Sequence, residues 1–284
     1  MFNEPDLTKQ ESHFSFGKNW AAYAKKISEV EIEKAIQDLS RLLHNEPLDG
    51  KRFLDIGSGS GLHSLAALRL GAREVVTVDI DPDSIATTRA VLERYAPKAL
   101  FHVEQASIFD LDQRNIGLFD VVYSWGVLHH TGDMMRAVRI ASSLVAPGCL
   151  FIFALYRRIW TDGFWKREKR WYARASTKAQ ARARLIYIFL FQHGLRLKGR
   201  DFEKYVRNYS KKRGMDFFHD VHDWLGGWPY ESISADEVNA LMAFINFTSK
   251  PIITPKRKFL DRAAEFFGSS CDEYIYRKHS ELDS

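Results

Sequence analysis

Leu54-Asp55-Ile56-Gly57-Ser58-Gly59-Ser60-Gly61 is an apolar run closed by alternating glycines. It reads as a short buried strand, Phe53–Ile56, turning tightly into a helix over Gly61–Leu70. Glycine is the residue for such a turn, because a Cβ would block both the backbone path and close approach of a ligand. The spacing is GxGxG, with Leu62 following the third glycine, so it departs from the GxGxxG of a dinucleotide site. No lysine follows in the Walker position, which disfavours a nucleoside triphosphate.

Outward from this loop, strands and helices alternate. Glu74–Ile80 reads as a second strand and Asp83–Tyr95 as the helix behind it, with Pro97 as a stop. Leu100–Gln105 and Phe119–Ser124 follow as strands, Met134–Val145 as a helix and Cys149–Leu155 as a fifth strand. This pattern implies a doubly wound parallel sheet with its ligand outside the carboxyl ends of the strands. Asp79 ends the second strand about twenty residues beyond the glycines, where a carboxylate can accept both ribose hydroxyls of an adenosine. Gln105-Ala106-Ser107-Ile108 ends the third, placed for an adenine edge, and Tyr123-Ser124-Trp125-Gly126-Val127-Leu128-His129-His130 ends the fourth.

Residues 51–155 therefore resemble a class I S-adenosylmethionine-dependent methyltransferase core, nearest the ubiquinone/menaquinone-methylase-like branch that acts on small molecules. Flanking segments extend the similarity. FxFGxNW at Phe14–Trp20 and DxxDWLGGxPxE at Asp220–Glu231 resemble motifs of a bacterial subgroup of that superfamily. The resemblance implies an α/β fold with a mostly parallel seven-stranded sheet, S-adenosyl-L-methionine as cofactor, and a helical lid inserted after the fifth strand. It also implies that Asp55, Gly57, Ser58, Gly59 and Gly61 surround the methionine part of the cofactor. Asp79 would hold ribose, Ile80, Ser107 and Ile108 would flank adenine, and Ser124 and Trp125 would line the way to the methyl group. A dehydrogenase, a cofactor-free α/β domain and a non-catalytic cofactor-binding protein are the rival readings. Ser124-Trp125-Gly126-Val127 departs from the [D/N]PP[Y/F] of amino-methylating enzymes.

The expected organisation is an N-terminal helical, aromatic cap over 1–50, a cofactor-binding core over 51–155, an insertion over 156–232, and a C-terminal helix and strands over 233–284. In the last part, Ala235–Phe247 reads as a helix, Lys250–Pro255 as a strand and Glu273–Arg277 as another. With 284 residues, 45% apolar and 27% charged, wholesale disorder is excluded. The longest apolar run, Leu185–Phe191, is too short to span a bilayer. Residues Met1–Gln10 lack the order of a secretory signal, and Cys149 and Cys271 make no disulfide framework or structural zinc site. A cytoplasmic protein without a metal is the expectation.

A base for an oxygen or carbon acceptor would be histidine. His129 and His130 stand after the fourth strand, as base or as packing. The segment Phe218–Glu231, read as a loop folding over the sheet edge, offers His219 with Asp220 or Asp223. Trp20, Trp125, His130, Asp220, Trp224 and Trp228 are the expected acceptor-pocket residues. The insertion is strongly basic, with 18 Lys/Arg against 4 Asp/Glu between Tyr156 and Gly214. Its cations alternate with Trp160, Phe164, Trp165, Trp171 and Tyr172. A solvated lid face, an anionic small molecule or lipid head group, and a nucleic acid all fit that pattern, nucleic acid least. Methylation of a small-molecule acceptor, anionic in one reading, at oxygen or carbon leads, with RNA methylation as the rival.

Overall fold

A computed structural model describes residues 16–24, 27–209, 216–250 and 271–280. Seven strands form one sheet in the order β3-β2-β1-β4-β5-β7-β6. They are β1 (Arg52–Ile56), β2 (Glu74–Asp79), β3 (Phe101–Gln105), β4 (Phe119–Trp125), β5 (Val145–Tyr156), β6 (Phe247–Ser249) and β7 (Cys271–Lys278). The first five run parallel and β7 is antiparallel to both its neighbours. The mostly parallel, seven-stranded α/β expectation holds. The strand order reverses between β1 and β4, so a crevice opens at their carboxyl ends.

Alternation along the strands builds two cores. Phe53, Val75, Val121 and Ile152 face one way and pack with α2 (Glu29–Leu42) and α3 (Leu62–Arg69). Leu54, Val76, Val122 and Phe151 face the other, under α5 (Met134–Ser143) and α10 (Ala235–Phe244). Helix α2 begins at a capping box between Ser28 and Glu31, which satisfies backbone N–H groups at its exposed end. Helix α4 (Pro82–Tyr95) opens on Asp81, whose carboxylate accepts from the Asp83 N–H.

Between β5 and α10 lie α6 (Asp162–Arg174), α7 (Thr177–Leu197), α8 (Phe202–Arg207) and α9 (Phe217–Gly226). They pack a third apolar cluster around Tyr156, including Trp165, Tyr172, Phe217, Val221 and Leu225. Here the structure corrects the sequence. Most of Phe218–Glu231 is helix, not loop, because Asp216 caps the Phe218 and His219 N–H groups and Phe217, Val221 and Leu225 recur on one buried face. The helix expected over Ala235–Phe247 ends at Phe244, since Asn246 takes a left-handed φ of 63°, and β6 follows at once at Phe247. Positions 251–255 lie outside the described residues, as do Met1–Gln10 and Phe14. No helix among the described residues is long and apolar enough to cross a membrane.

Candidate active site

The turn after β1 is held by its backbone. Gly57 N–H donates to Val78 O at 2.8 Å, and Gly61 N–H to Ser58 O at 2.8 Å. Gly57, Gly59 and Gly61 have φ of +81°, +54° and +75°, a region that other residues rarely occupy. A Cβ on Gly57 would lie 2.3 Å from Val127, and one on Gly59 3.1 Å from the Trp20 ring. Helix α1 (Phe16–Ala24) thus lies over the loop, and Gly17 N–H donates to Asp81 at 2.9 Å. Ser58 Oγ pairs with Thr88 Oγ1 at 2.9 Å, tying the loop to α4.

Two buried acids flank this loop. Asp55 accepts from Ser64 Oγ at 2.6 Å, and Asp79 from the Gly59 and Asp81 N–H groups at 3.0 and 2.9 Å. Burial pushes Asp55 up to about 7, the Asp79 charge adding to it, and pushes Asp79 up to about 6. At the next edge, Gln105 Nε2 donates to Ile80 O at 3.0 Å, Ser107 Oγ caps the Phe109 N–H, and Ile108 is buried. Ser124 Oγ donates to Ile56 O at 3.0 Å and so is engaged in the sheet, while Trp125 is exposed.

The second half of the site converges on the residues after β4. His130 Nδ1 meets Pro229 O at 2.6 Å. A carbonyl only accepts, so Nδ1 donates in this bond, and in the neutral ring Nε2 then keeps the lone pair. Phe16 of α1 faces His130 with ring centroids 5.3 Å apart, and a Cβ on Gly227 would strike its ring at 2.7 Å. Glu231 N–H donates to His129 O at 3.1 Å, and its carboxylate accepts the Met134 N–H at 2.9 Å.

His129 is fully buried, 3.9 Å from the Tyr156 ring centroid. Burial holds its pKa well below the usual imidazole range; positive charge on His130 or Lys169 would push the same way, and a hydrogen bond with the Ala154 backbone opposes them. Burial thus favours its neutral form and weakens it as a base near pH 7. His219 pairs through Nδ1 with Asp216, its own helix cap, and Asp220 accepts from Tyr209 Oη. Asp223 lies one helical turn beyond His219 on α9. Trp228 lies against Arg170, 5.9 Å from ring centroid to guanidinium.

Trp224 covers Lys169, one of the cations read from the sequence as available to an anionic partner, and its burial removes it from that set. Lys169, fully buried, donates to Trp224 O and sits 3.6 Å from the Trp224 ring centroid, with Tyr156, Trp165 and Tyr230 within 6 Å. Burial lowers its pKa to about 7. Its signal was the helical phase of Trp165, Lys169 and Tyr172, one inward stripe in a cationic run. A separate groove of about 990 Å³ opens beside Asp162, Lys166 and Glu231; it includes nothing from the glycine loop or the Asp79 edge.

A family model described as a methyltransferase domain matches residues 24–210. The chain belongs to the methyltransferase domain family. Its class is that of the S-adenosylmethionine-dependent methyltransferases. Over 111 residues it is 35% identical to a ubiquinone biosynthesis O-methyltransferase of Xanthomonas campestris pv. campestris, covering 39% of this chain and 45% of that protein. Over 150 residues it is 32% identical to a tRNA U34 carboxymethyltransferase of Hahella chejuensis, covering 46% of each. The chain thus matches less than half the length of these relatives. In fold it is similar to the magnesium protoporphyrin IX methyltransferase of Synechocystis, solved with bound SAH. That likeness has a TM-score of 0.51 at 12% identity and covers 89% of this chain and 86% of that one.

For a methyltransferase of this class, the residues present suit the cofactor. Each carboxylate oxygen of Asp79 accepts one backbone N–H, which leaves lone pairs for the two ribose hydroxyls. Burial, and for Asp55 the neighbouring Asp79 charge, disfavours their ionised forms, so a cationic ligand nearby would favour the carboxylates. The left-handed glycines keep that space clear of side chains.

Proposed function

We propose that this methyltransferase transfers the methyl group of S-adenosylmethionine to oxygen or carbon of a small molecule. The acceptor would lie between α1, the loop after β4 and the segment Trp224–Glu231. The observation that carries this is the fixed tautomer of His130 where those three elements meet. When bound, the cofactor supplies an electrophilic methyl on a sulfonium. This chain's own part is to orient the acceptor in line with that methyl and to take its proton. His130 Nε2 is the base best placed, with its ring held by Pro229; His219 with Asp223 flank it from α9.

Residues 156–232 act in this reading as a lid. Trp20, Trp125, Trp224 and Trp228 supply apolar walls, and Asp220 and Asp223 the polar groups of the pocket. The O-methylating relative supports oxygen as the acceptor atom. A cytoplasmic location belongs to the same proposal. Calorimetry should show binding of S-adenosylmethionine and none of NAD. Labelled methyl should then pass to small hydroxyl-bearing acceptors, more slowly by about 10²-fold or more in His130→Gln. Transfer of label to tRNA alone would replace this acceptor class by the RNA reading. Cofactor binding with no transfer to any acceptor would favour a non-catalytic protein.

A further inference from the structure

Helices α6 and α7 turn apolar and cationic residues outward, and of these Arg170 also lies against Trp228. On α7, Leu185, Ile186, Phe189 and Leu190 are each about half exposed or more, at 68, 61, 57 and 48%. Their spacing puts them on one stripe. The same stripe carries Lys178 and Arg182 on its N-terminal side and Arg196 on its C-terminal side, all exposed. On α6 the outward residues are Phe164 and Trp171, with Arg167, Arg170 and Arg174 around the Trp171 indole at a shallow hollow of about 380 Å³. Trp165, Lys169 and Tyr172 of the same helix point inward, so the division between faces is sharp.

We infer that this face docks on a bilayer surface rich in anionic phospholipid, with α7 lying in the interface plane. Its 21 residues make about 31 Å of helix, a length suited to lying on a membrane. The charge selects the partner. With 18 cations against 4 acids between Tyr156 and Gly214, a second copy would bring like charges together. A nucleic acid would pair with the arginines but leave the aliphatic centre of α7 in water. Lipid satisfies both parts, with phosphates at the guanidinium groups and the acyl boundary under Leu185, Ile186, Phe189 and Leu190. Nothing in this inference depends on what the active site methylates.

The test is co-sedimentation of the full chain with vesicles of phosphatidylcholine alone and of phosphatidylcholine mixed equally with phosphatidylglycerol. Binding is expected only to the anionic vesicles. Ile186→Glu/Phe189→Glu should abolish it, leaving cofactor affinity and melting temperature unchanged. Arg170→Gln/Arg174→Gln should lower partitioning by about 30-fold, roughly fivefold for each cation at the surface. Both arginines are exposed, so this pair still decides the matter if the apolar pair unfolds. Equal binding to neutral vesicles, wild-type partitioning by the arginine pair, or a dimer that Ile186→Glu dissociates would each overturn the inference. So would tight binding of a tRNA probe without binding of anionic vesicles.

Discussion

Replacing Asp55 by Asn keeps the shape and the hydrogen bond from Ser64 while removing a charge that burial disfavours. The carboxyl titrates near 7 in the folded chain against an ordinary value of 3.8. Its folded pKa is raised, so the unfolded chain loses the proton first and stability falls as pH climbs from about 4 to about 7. At full development the gap of about three units costs about 4 kcal/mol. About 1.5 kcal/mol of that is already present at pH 5, so about 2.5 kcal/mol develops between pH 5 and pH 8. For 284 residues the entropy of unfolding is about 0.6 kcal/mol/K, which turns this difference into about 4 °C. Any cost of burying the Asn amide is independent of pH and shifts both points equally. Thermal melts followed by near-ultraviolet circular dichroism at pH 5, 6, 7 and 8 measure the difference in Tm between variant and wild type. That difference should rise by about 4 °C across the range. A difference that stays flat would show that Asp55 carries no raised pKa and that the charge-pair account of the cofactor site is wrong.

Gly57→Ala places a Cβ 2.3 Å from Val127 at a φ of +81°, and should cost about 2 kcal/mol or more in urea unfolding and abolish cofactor binding. Asp79→Ala should weaken S-adenosylmethionine by about 1.5–3 kcal/mol in calorimetry, because charge-assisted hydrogen bonds are lost. Burial lowers the pKa of Lys169 below the ordinary lysine value, so the unfolded chain binds its proton more tightly and wild-type stability gains from this group as pH rises toward the ordinary lysine range. Urea unfolding of Lys169→Met should lack that gain, and its advantage over wild type should be larger at pH 7 than at pH 9.5.

The fold was legible because its signals are local. Strand, glycine turn and crossover helix each announce themselves within about ten residues, and Asp55, Asp79 and Ser107 fall at strand ends whatever the tertiary detail. The acceptor side was less legible, since it depends on which long-range pairs form. His129 and His130 are adjacent and identical in sequence, yet one is walled in by Tyr156 and the other is bound to Pro229. Helix α9 hid behind Gly226-Gly227 and four polar residues, although Phe217, Val221 and Leu225 carried its period. Lys169 resembled every other cation in Lys166-Arg167-Glu168-Lys169-Arg170 until the inward stripe of α6 was known.

The antiparallel strand β7 binds β5 from far along the chain, Tyr156 opposite Cys271, so every residue of the lid lies inside one closed loop. Closing a loop of that length costs about 4 kcal/mol in chain entropy beyond a constant. During synthesis β5 must therefore wait, with one hydrogen-bonding edge and its Phe151, Ile152 and Phe153 uncovered, until β7 has emerged. That bare edge is a template for pairing with other chains. A ribosome-bound intermediate halted within the lid should therefore recruit chaperones, and the same chain released early should aggregate through β5.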